Sequence, residues 1–339
     1  MPDTNTPLDA VLIGRLQRDY ILPFQRPEQV GILGGSLPYT AAALAHWGGR
    51  AALISRVNAD YPVEWLKPLQ ELGSDLSGIH RIPEPIDTRR FVAFTDPVTP
   101  HYENPLTWFA DRQTPFPAEL LGYNLGPARF CSKTDYLPYS FRITDLPYQS
   151  LELSAAHIGP VDYISHKILP SILKGGLIQT LTLRSTPCYM DPSYWEDMRG
   201  LLSDLTAFQT TEAEVLKLFQ GRSVDVWEIA QALAAYGPEF VIINMKDGSA
   251  AAYDRVTKKK WQVPAWPGAI ADPTGMQDAF DGAFLLNYRK EYDLVEGLLC
   301  GQISAAICGE GSGPFYMLGS LPGLKEVRLE TLRPRVRAV

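Results

Sequence analysis

The segment ADPTGMQDAFDGAFLLNY, residues 271–288, joins a turn to the start of a helix. Asp272-Pro-Thr-Gly275 has the composition of a turn, and from Asp278 onward apolar residues recur at helical spacing. The first N–H groups of a helix have no partners within the helix, so a glycine-containing turn at this point can hold an anion. Taken alone, however, the segment is more simply interpreted as a helix that Asp278 caps.

Length and composition indicate a globular protein with a sizeable core, built as one large α/β domain or as two smaller ones. The chain has 339 residues, of which 45% are hydrophobic and 20% are charged. A net charge of −7 argues against general binding to nucleic acids or anionic membranes. We find neither a window with the apolar length of a membrane span nor the pattern of a signal peptide. We therefore expect a soluble cytoplasmic protein.

The cysteines and histidines show no spacing typical of a metal site or a disulfide framework. The four cysteines, at positions 131, 188, 300 and 308, contain no CxxC pair and are expected to be reduced thiols. The five histidines are scattered along the chain. The basic run Lys258-Lys-Lys260 lies between two strand-like segments and predicts a solvated hairpin turn.

Strand and helix patterns alternate along most of the chain, which favours a sheet with helices packed on it. Residues 84–150 differ, because they are rich in proline and aromatic residues and predict extra strands and loops projecting from the main sheet. The predicted strands are 10–14, 51–57, 181–183 and 239–244, two that end at 157–160 and 190–192, and the hairpin 250–254 with 260–263. The predicted helices are 40–47, 62–72, 213–219 (capped by Thr211 or Thr210), 224–236, 292–300 and 301–309.

Five separated motifs follow one another along the chain: Gly14-Arg-Leu-Gln-Arg-Asp19, Gly34-Gly35 with an alanine-rich helix, Met190-Asp191-Pro192, Gln209-Thr-Thr-Glu212, and Asp272-Pro-Thr-Gly275-Met-Gln-Asp278. In this order they resemble the signatures of the ribokinase-like (PfkB-type) family of carbohydrate and nucleoside kinases, over about residues 10–325. The resemblance implies an α/β three-layer fold, with a mostly parallel sheet, helices on both faces and a small β lid. It also implies one domain over residues 1–339, with lid strands from about 15–35 and 84–115.

The resemblance implies an ATP- and Mg²⁺-dependent kinase that transfers the γ-phosphoryl group to a hydroxyl of a sugar, sugar derivative or nucleoside. Asp278 would be the base that takes the hydroxyl proton, and the backbone N–H groups of Gly275, Met276 and Gln277 would form the anion hole. The family usually has Ala and Gly where this chain has Met276 and Gln277. A non-glycine residue there would cost about 1–2 kcal/mol if its φ had to be positive.

Four residues near the N-terminus would bind the substrate in a family member. Asp19 would accept hydrogen bonds from substrate hydroxyls, and Gly34-Gly35 would let the substrate approach the backbone. Tyr39 stands where the family commonly has a substrate-binding asparagine. Arg89-Arg90 could meet an anionic group of the substrate, although a solvated edge of the lid is the simpler interpretation.

The resemblance also assigns metal and nucleotide ligands. Glu212 would act on Mg²⁺ through water, and Gln209 replaces the family's asparagine beside it; an exposed first turn of a helix explains both residues equally well. Residues 300–312 would border the adenine. The expected nucleotide-binding residues lie in a turn after a strand and are Asn244, Lys246 and Gly248.

Several departures from the family pattern fall at functional positions, including Tyr39, Gln209 and Met276-Gln277. They support an alternative hypothesis, a ligand-binding protein of the same fold with lost or weakened kinase activity. A nicotinamide-dependent oxidoreductase is disfavoured, because no glycine-rich fingerprint follows the first strand. The expected partner is a small-molecule hydroxyl substrate, without nucleic acid or membrane, and lid strands could pair in a homodimer.

Overall fold

Fourteen strands form two sheets in the part of the chain that the computed structural model describes, residues 7–123 and 131–339. The strands are β1 Ala10–Ile13, β2 Gln17–Leu22, β3 Gln29–Gly34, β4 Ala51–Asn58, β5 Asp75–Ile82, β6 Arg89–Phe94, β7 Pro100–His101, β8 Ala155–Ile158, β9 Thr180–Arg184, β10 Ala207–Thr211, β11 Phe240–Asn244, β12 Ala250–Asp254, β13 Lys260–Val263 and β14 Arg337–Ala338.

Ten α-helices accompany these strands in the same described ranges, together with short 3₁₀ turns. The helices are α1 Ser36–His46, α2 Lys67–Glu71, α3 Pro105–Asp111, α4 Tyr163–Lys174, α5 Met198–Leu202, α6 Glu212–Leu218, α7 Val226–Ala234, α8 Met276–Glu291, α9 Leu294–Gly309 and α10 Leu324–Leu332.

The larger sheet has ten strands in the order β14-β13-β12-β11-β10-β9-β8-β1-β4-β5. All neighbours from β11 to β5 are parallel, whereas β12, β13 and β14 are joined antiparallel at one edge. The central strand β1 is buried along its whole length and reads Ala-Val-Leu-Ile, as expected for a parallel strand covered on both faces. The predicted α/β fold with a mostly parallel sheet is confirmed.

Helices cover both faces of this sheet. On one face, α1, α8 and α9 bury apolar side chains against residues such as Ile242. On the other face, α4, α5, α6 and α7 pack against residues such as Phe208. Helices α1 and α8 approach closely at Gly282, where a Cβ would lie 2.1 Å from the Thr40 carbonyl oxygen. This close approach brings the starts of α1 and α8 together at the carboxyl ends of the parallel strands, where open α/β sheets bind ligands.

The smaller sheet has four strands in the order β3-β2-β6-β7, and these strands fall within the ranges 15–35 and 84–115. The loop between β2 and β3 contacts the segments just before α8 and just after α9. Gln25 N–H donates to the Ala271 carbonyl at 3.1 Å, and Arg26 Nη2 donates to the Glu310 carbonyl at 2.8 Å. The role of this sheet as a lid, and the single domain, remain predictions.

Two predicted elements were wrong. The separate strand predicted to end at 190–192 is absent from the described residues; the Asp191 carboxylate instead accepts a hydrogen bond from Ser193 N–H and starts a 3₁₀ turn. Helices predicted at 292–300 and 301–309 are the single helix α9, since Gly301 packs its Cα against the Phe280 ring rather than interrupting the helix. Within the segment 84–150, residues 124–130 lie outside the described part of the chain.

The expectation of four reduced thiols was also wrong. Cys131 and Cys188 form a disulfide, with their Cα atoms 5.4 Å apart, while Cys300 and Cys308 are buried free thiols. Pairing of the first two depends on tertiary structure, which spacing along the chain does not show. Among the described residues, no helix combines the length and the apolar content that a bilayer crossing needs.

Candidate active site

The N-terminus of α8 presents unpaired backbone donors. Gly275 precedes the helix with φ of 77° and ψ of 0°, whereas Met276 and Gln277 have no positive φ. Met276 N–H donates to the Pro273 carbonyl at 3.3 Å, and Ala279 N–H donates to the Gly275 carbonyl at 2.8 Å. Within the described ranges, the N–H groups of Gly275, Gln277 and Asp278 meet no acceptor. Such a cluster of free donors at a helix start suits an anion.

The two residues that depart from the family pattern do not strain this geometry. Gln277 is exposed, and Met276 directs its side chain away from the free donors, onto Gly309 of α9. A Cβ at position 309 would lie 2.7 Å from Met276 Sδ, so a glycine there makes room for the methionine. The cost expected for a positive φ at Met276 or Gln277 therefore does not arise.

Tyr39 lies behind Gly275 rather than in the open cleft. Its side chain is fully buried, and its ring stands 2.1 Å from where a Cβ of residue 275 would be. Burial raises the pKa of the Tyr39 phenol, as does the nearby Asp19 carboxylate. The Tyr39 hydroxyl has no hydrogen-bond partner among the described residues. The predicted substrate contact of Tyr39 remains a prediction, and its position explains why residue 275 is a glycine.

Asp278, the predicted base, is the third residue of α8 and is half-buried. Burial, and after it the charge of Asp281, raise the pKa of its carboxyl to about 7, against the opposing charges of Arg90 and Arg184. The helix start would by itself favour the ionised form, but burial outweighs that effect. A carboxyl that titrates near neutral pH is well suited to accept a proton.

The predicted substrate residue Asp19 is paired with Arg90. Its carboxylate accepts hydrogen bonds from Arg90 Nε at 2.9 Å, from Arg90 Nη2, and from Gly35 N–H at 3.3 Å. The carboxylate also lies within 1.8 Å of where a Cβ of Gly34 would be, so residue 34 must lack one. The Asp19 side chain is 0% exposed and that of Arg90 is 23% exposed. Arg90 is therefore the accessible member of the pair.

Of the predicted metal ligands, Glu212 and Gln209 lie in different environments. Glu212 begins α6, and its Oε2 accepts a hydrogen bond from Lys246 N–H at 2.7 Å. Gln209, in β10, is fully buried, and neither its amide nitrogen nor its amide oxygen has a partner in the described structure. Its metal role remains a prediction that its burial does not favour. A second acid, Glu214, forms the predicted cap of α6 together with Thr211.

The predicted nucleotide residues occupy the turn between β11 and β12. Gly248 has φ of 82°, and its carbonyl accepts a hydrogen bond from Gln302 of α9 at 2.7 Å. Lys246 is exposed, and its N–H joins this turn to Glu212. Asn244 points inward, because its Oδ1 accepts a hydrogen bond from Arg184 at 2.8 Å. The turn is thus in contact with both the metal candidate and the segment predicted to border adenine.

Sequence reasoning missed Arg184 and Asp281, and it took a solvated lid edge as the simpler interpretation of Arg90. Arg184 ends β9 and forms a buried ion pair with Asp281 of α8. The available signals were a charged residue closing an apolar strand and a second acid one helical turn after Asp278. For Arg90 the signal appears only once β2 and β6 are paired, since their register places it opposite Asp19.

Comparison with known proteins agrees with this architecture. Residues 177–317 match the model of the pfkB family carbohydrate kinases. The chain is 26% identical, over 296 residues, to a cytidine kinase of Thermococcus kodakarensis, covering 87% of this chain and 93% of the relative.

Solved structures show the same fold. An E. coli protein classed as a ribokinase II, solved with ATP and Mg²⁺, superposes with a TM-score of 0.67 at 18% identity, covering 97% of this chain and 100% of its own. The Burkholderia thailandensis nucleoside kinase, solved with inosine, gives 0.66 at 16% identity, covering 95% and 97%. The matched segment and the overall fold are thus similar to those of the ribokinase-like (PfkB) kinases, a family of phosphotransferases that use an alcohol group as acceptor.

Proposed function

We propose that this protein is an ATP- and Mg²⁺-dependent kinase that phosphorylates a hydroxyl of a nucleoside, sugar or sugar derivative, with Asp278 as the base. The observation that carries the proposal is the start of α8. There, free N–H groups of Gly275, Gln277 and Asp278 share the first turn of a helix with the Asp278 carboxyl, whose pKa is raised to about 7. An anion site beside a proton acceptor is what phosphoryl transfer to an alcohol requires.

The residues present fit ATP and Mg²⁺. The free N–H groups at the start of α8 suit a phosphate group, and the turn between β11 and β12 offers an exposed cation, Lys246. No group of three or more described His, Cys, Asp or Glu side chains could enclose a metal. Mg²⁺ in kinase sites needs only one or two carboxylates, with water and phosphate completing its shell. Glu212 would hold it through water, where the ion would neutralise phosphate charge.

Side chains and backbone groups of the protein carry out proton transfer, phosphoryl binding and substrate contact. Asp278 accepts the hydroxyl proton, and the N–H groups of Gly275 and Gln277 donate to the phosphoryl oxygens as charge develops on them. Arg90 meets the substrate from the smaller sheet, because it is the accessible partner of Asp19. Closure of that sheet would exclude water from the cleft.

Three further points belong to this proposal. Nucleosides are the first acceptors to test, because the curated relative is named a cytidine kinase and one structural neighbour binds inosine. The strand β3 is an edge of the smaller sheet, so two copies could pair there as a homodimer. Cytoplasm remains the proposed location.

The test is phosphoryl transfer from Mg·ATP to cytidine, inosine, ribose and fructose by the wild type and by Asp278→Asn. We expect turnover with at least one acceptor. The variant should lose about 10³-fold or more in kcat while still binding Mg·ATP in calorimetry. Asp111→Asn, an exposed aspartate at the end of α3, is the control and should retain wild-type turnover.

Two results would contradict the proposal. Turnover that survives unchanged in Asp278→Asn would exclude this residue as the base. Binding of Mg·ATP without turnover on any acceptor would favour the ligand-binding alternative instead.

A further inference from the structure

A buried ion pair joins α8 to the end of β9. Arg184 Nε donates to Asp281 Oδ2 at 2.7 Å, and Arg184 Nη2 donates to the other carboxylate oxygen. The two side chains are 2% and 0% exposed. Asp281 lies one helical turn after Asp278, so the pair is close to the proposed base although solvent does not reach it.

The remaining nitrogen of Arg184 contacts two further segments. Its Nη1 donates to Asn244 Oδ1 at 2.8 Å and to the Thr210 carbonyl at 3.3 Å. A single guanidinium therefore touches α8, the end of β10 and the end of β11. Each segment carries a group of the proposed site: Asp278 lies in α8, Glu212 follows Thr210 by two residues, and Lys246 follows Asn244 by two residues.

The neighbouring histidine cannot replace Arg184 as the cation beside Asp281. His157 Nε2 is 3.7 Å from the Asp281 carboxylate, but burial lowers the pKa of His157 to about 3, so the ring is neutral. Its Nδ1 is occupied by the Thr182 hydroxyl at 2.8 Å. Arg184 is thus the cation that Asp281 contacts. Because desolvating two ions is costly, a buried pair stabilises a fold little, whereas its fixed fork geometry orients the groups it joins.

We propose that Arg184 and Asp281 are positioning residues for phosphoryl transfer, which fix the start of α8 relative to the ends of β10 and β11. The proposal rests on the proposed function, in which Asp278 and the free N–H groups of α8 must face groups from the other two segments. A displacement of reacting groups by about 1 Å can cost about 10²-fold in rate. The pair acts through those segments and does not touch the substrate.

The experiment replaces the pair by apolar residues, in the double variant Arg184→Met/Asp281→Leu, and by the conservative Arg184→Lys. The matched control is Arg56→Met/Asp145→Leu. That pair is also buried, with side chains 7% and 6% exposed and a 2.8 Å contact, but Arg56 bonds to the Pro138 carbonyl instead of an active-site segment. Two measurements are made: kcat and KM with Mg·ATP and cytidine, and amide hydrogen exchange by mass spectrometry.

We expect the Arg184/Asp281 double variant to lose about 10²-fold in kcat, with KM for Mg·ATP near the wild-type value. Exchange should accelerate in peptides covering 207–214, 240–248 and 275–285. Arg184→Lys should lose less of its kcat than the double variant does, because lysine keeps the positive charge. The control pair should leave kcat unchanged and accelerate exchange only near its own residues.

Wild-type kcat and wild-type exchange in the Arg184/Asp281 double variant would overturn the positioning role. Failure of the proposed function is a separate result, namely a wild type without turnover or an Asp278→Asn variant with full turnover. In that event the exchange measurement still decides: unchanged exchange in the three segments overturns the proposal, and faster exchange confined to them supports it.

Discussion

At the scale of single residues, glycines shape the site because they leave space for neighbouring side chains. Gly275 combines a positive φ with a Cα that faces the Tyr39 ring, and Gly34 leaves room for the Asp19 carboxylate. Gly309 does the same for Met276. The two substitutions in the family signature are therefore compatible with the anion hole, since Met276 has its own space and Gln277 faces solvent.

The ionisation of Asp278 links activity to stability. The pKa of an aspartate in an unfolded chain is about 4, whereas the pKa of the Asp278 carboxyl in the folded protein is raised to about 7, chiefly by burial. Between these pH values the folded state keeps a proton that the unfolded state has lost. The contribution of this group to stability is therefore full below about pH 4 and is lost as the pH rises to about 7.

Asp278→Asn should consequently be more stable than the wild type, and more so at alkaline pH. We expect its advantage in unfolding free energy to be about 2 kcal/mol larger at pH 8 than at pH 5, because partial exposure reduces the full linkage value. Urea unfolding at the two pH values measures this difference. The control Asp111→Asn should change the unfolding free energy equally little at the two pH values. If the gain in unfolding free energy of Asp278→Asn did not depend on pH, the raised pKa would be contradicted.

At the scale of elements, local patterns predicted many of the strands and helices, although β5, α4 and α10 were not predicted. The apolar run of β11, the hairpin of β12 and β13, and the Thr211 cap of α6 depend on neighbouring residues only, and all three are present. Single side chains are harder to place. Whether Gln209 faces a metal or a sealed interior depends on which distant elements cover that face of β10, which no pattern within β10 reveals.

The contact between α8 and α9 at Met276 and Gly309 can be tested by a double-mutant cycle. Gly309→Ala places a Cβ 2.7 Å from Met276 Sδ, so we expect a loss of about 1–2 kcal/mol in unfolding free energy. In a Met276→Ala background the clash disappears, and the better helix propensity of alanine should make the same change neutral or stabilising.

Denaturant unfolding of the four proteins in the cycle measures the coupling. Gly200→Ala serves as control, because that glycine lies in α5 with no atom within 4 Å of an added Cβ. It should be neutral or stabilising in either background. Equal effects of Gly309→Ala with and without Met276 would show that the methionine does not depend on the glycine.

At the scale of the whole molecule, the contacts that sequence reasoning missed join distant parts of the chain. Asp19 and Arg90 are 71 residues apart, Arg184 and Asp281 are 97 apart, and Cys131 and Cys188 are 57 apart. Helical and strand periodicities act over a few residues, so they predict elements and the motifs at element ends. They do not predict which charges or thiols meet when the sheet assembles.

The disulfide between Cys131 and Cys188 should stabilise the fold by restricting the unfolded chain. Closing a loop with a sequence separation of 57 residues corresponds to about 4 kcal/mol in the chain-entropy account. Dithiothreitol should therefore lower the unfolding free energy of the wild type but leave Cys131→Ser unchanged. Alkylation of the denatured, unreduced protein should modify only Cys300 and Cys308; modification of all four cysteines, or stability indifferent to reductant, would show that the bond is absent.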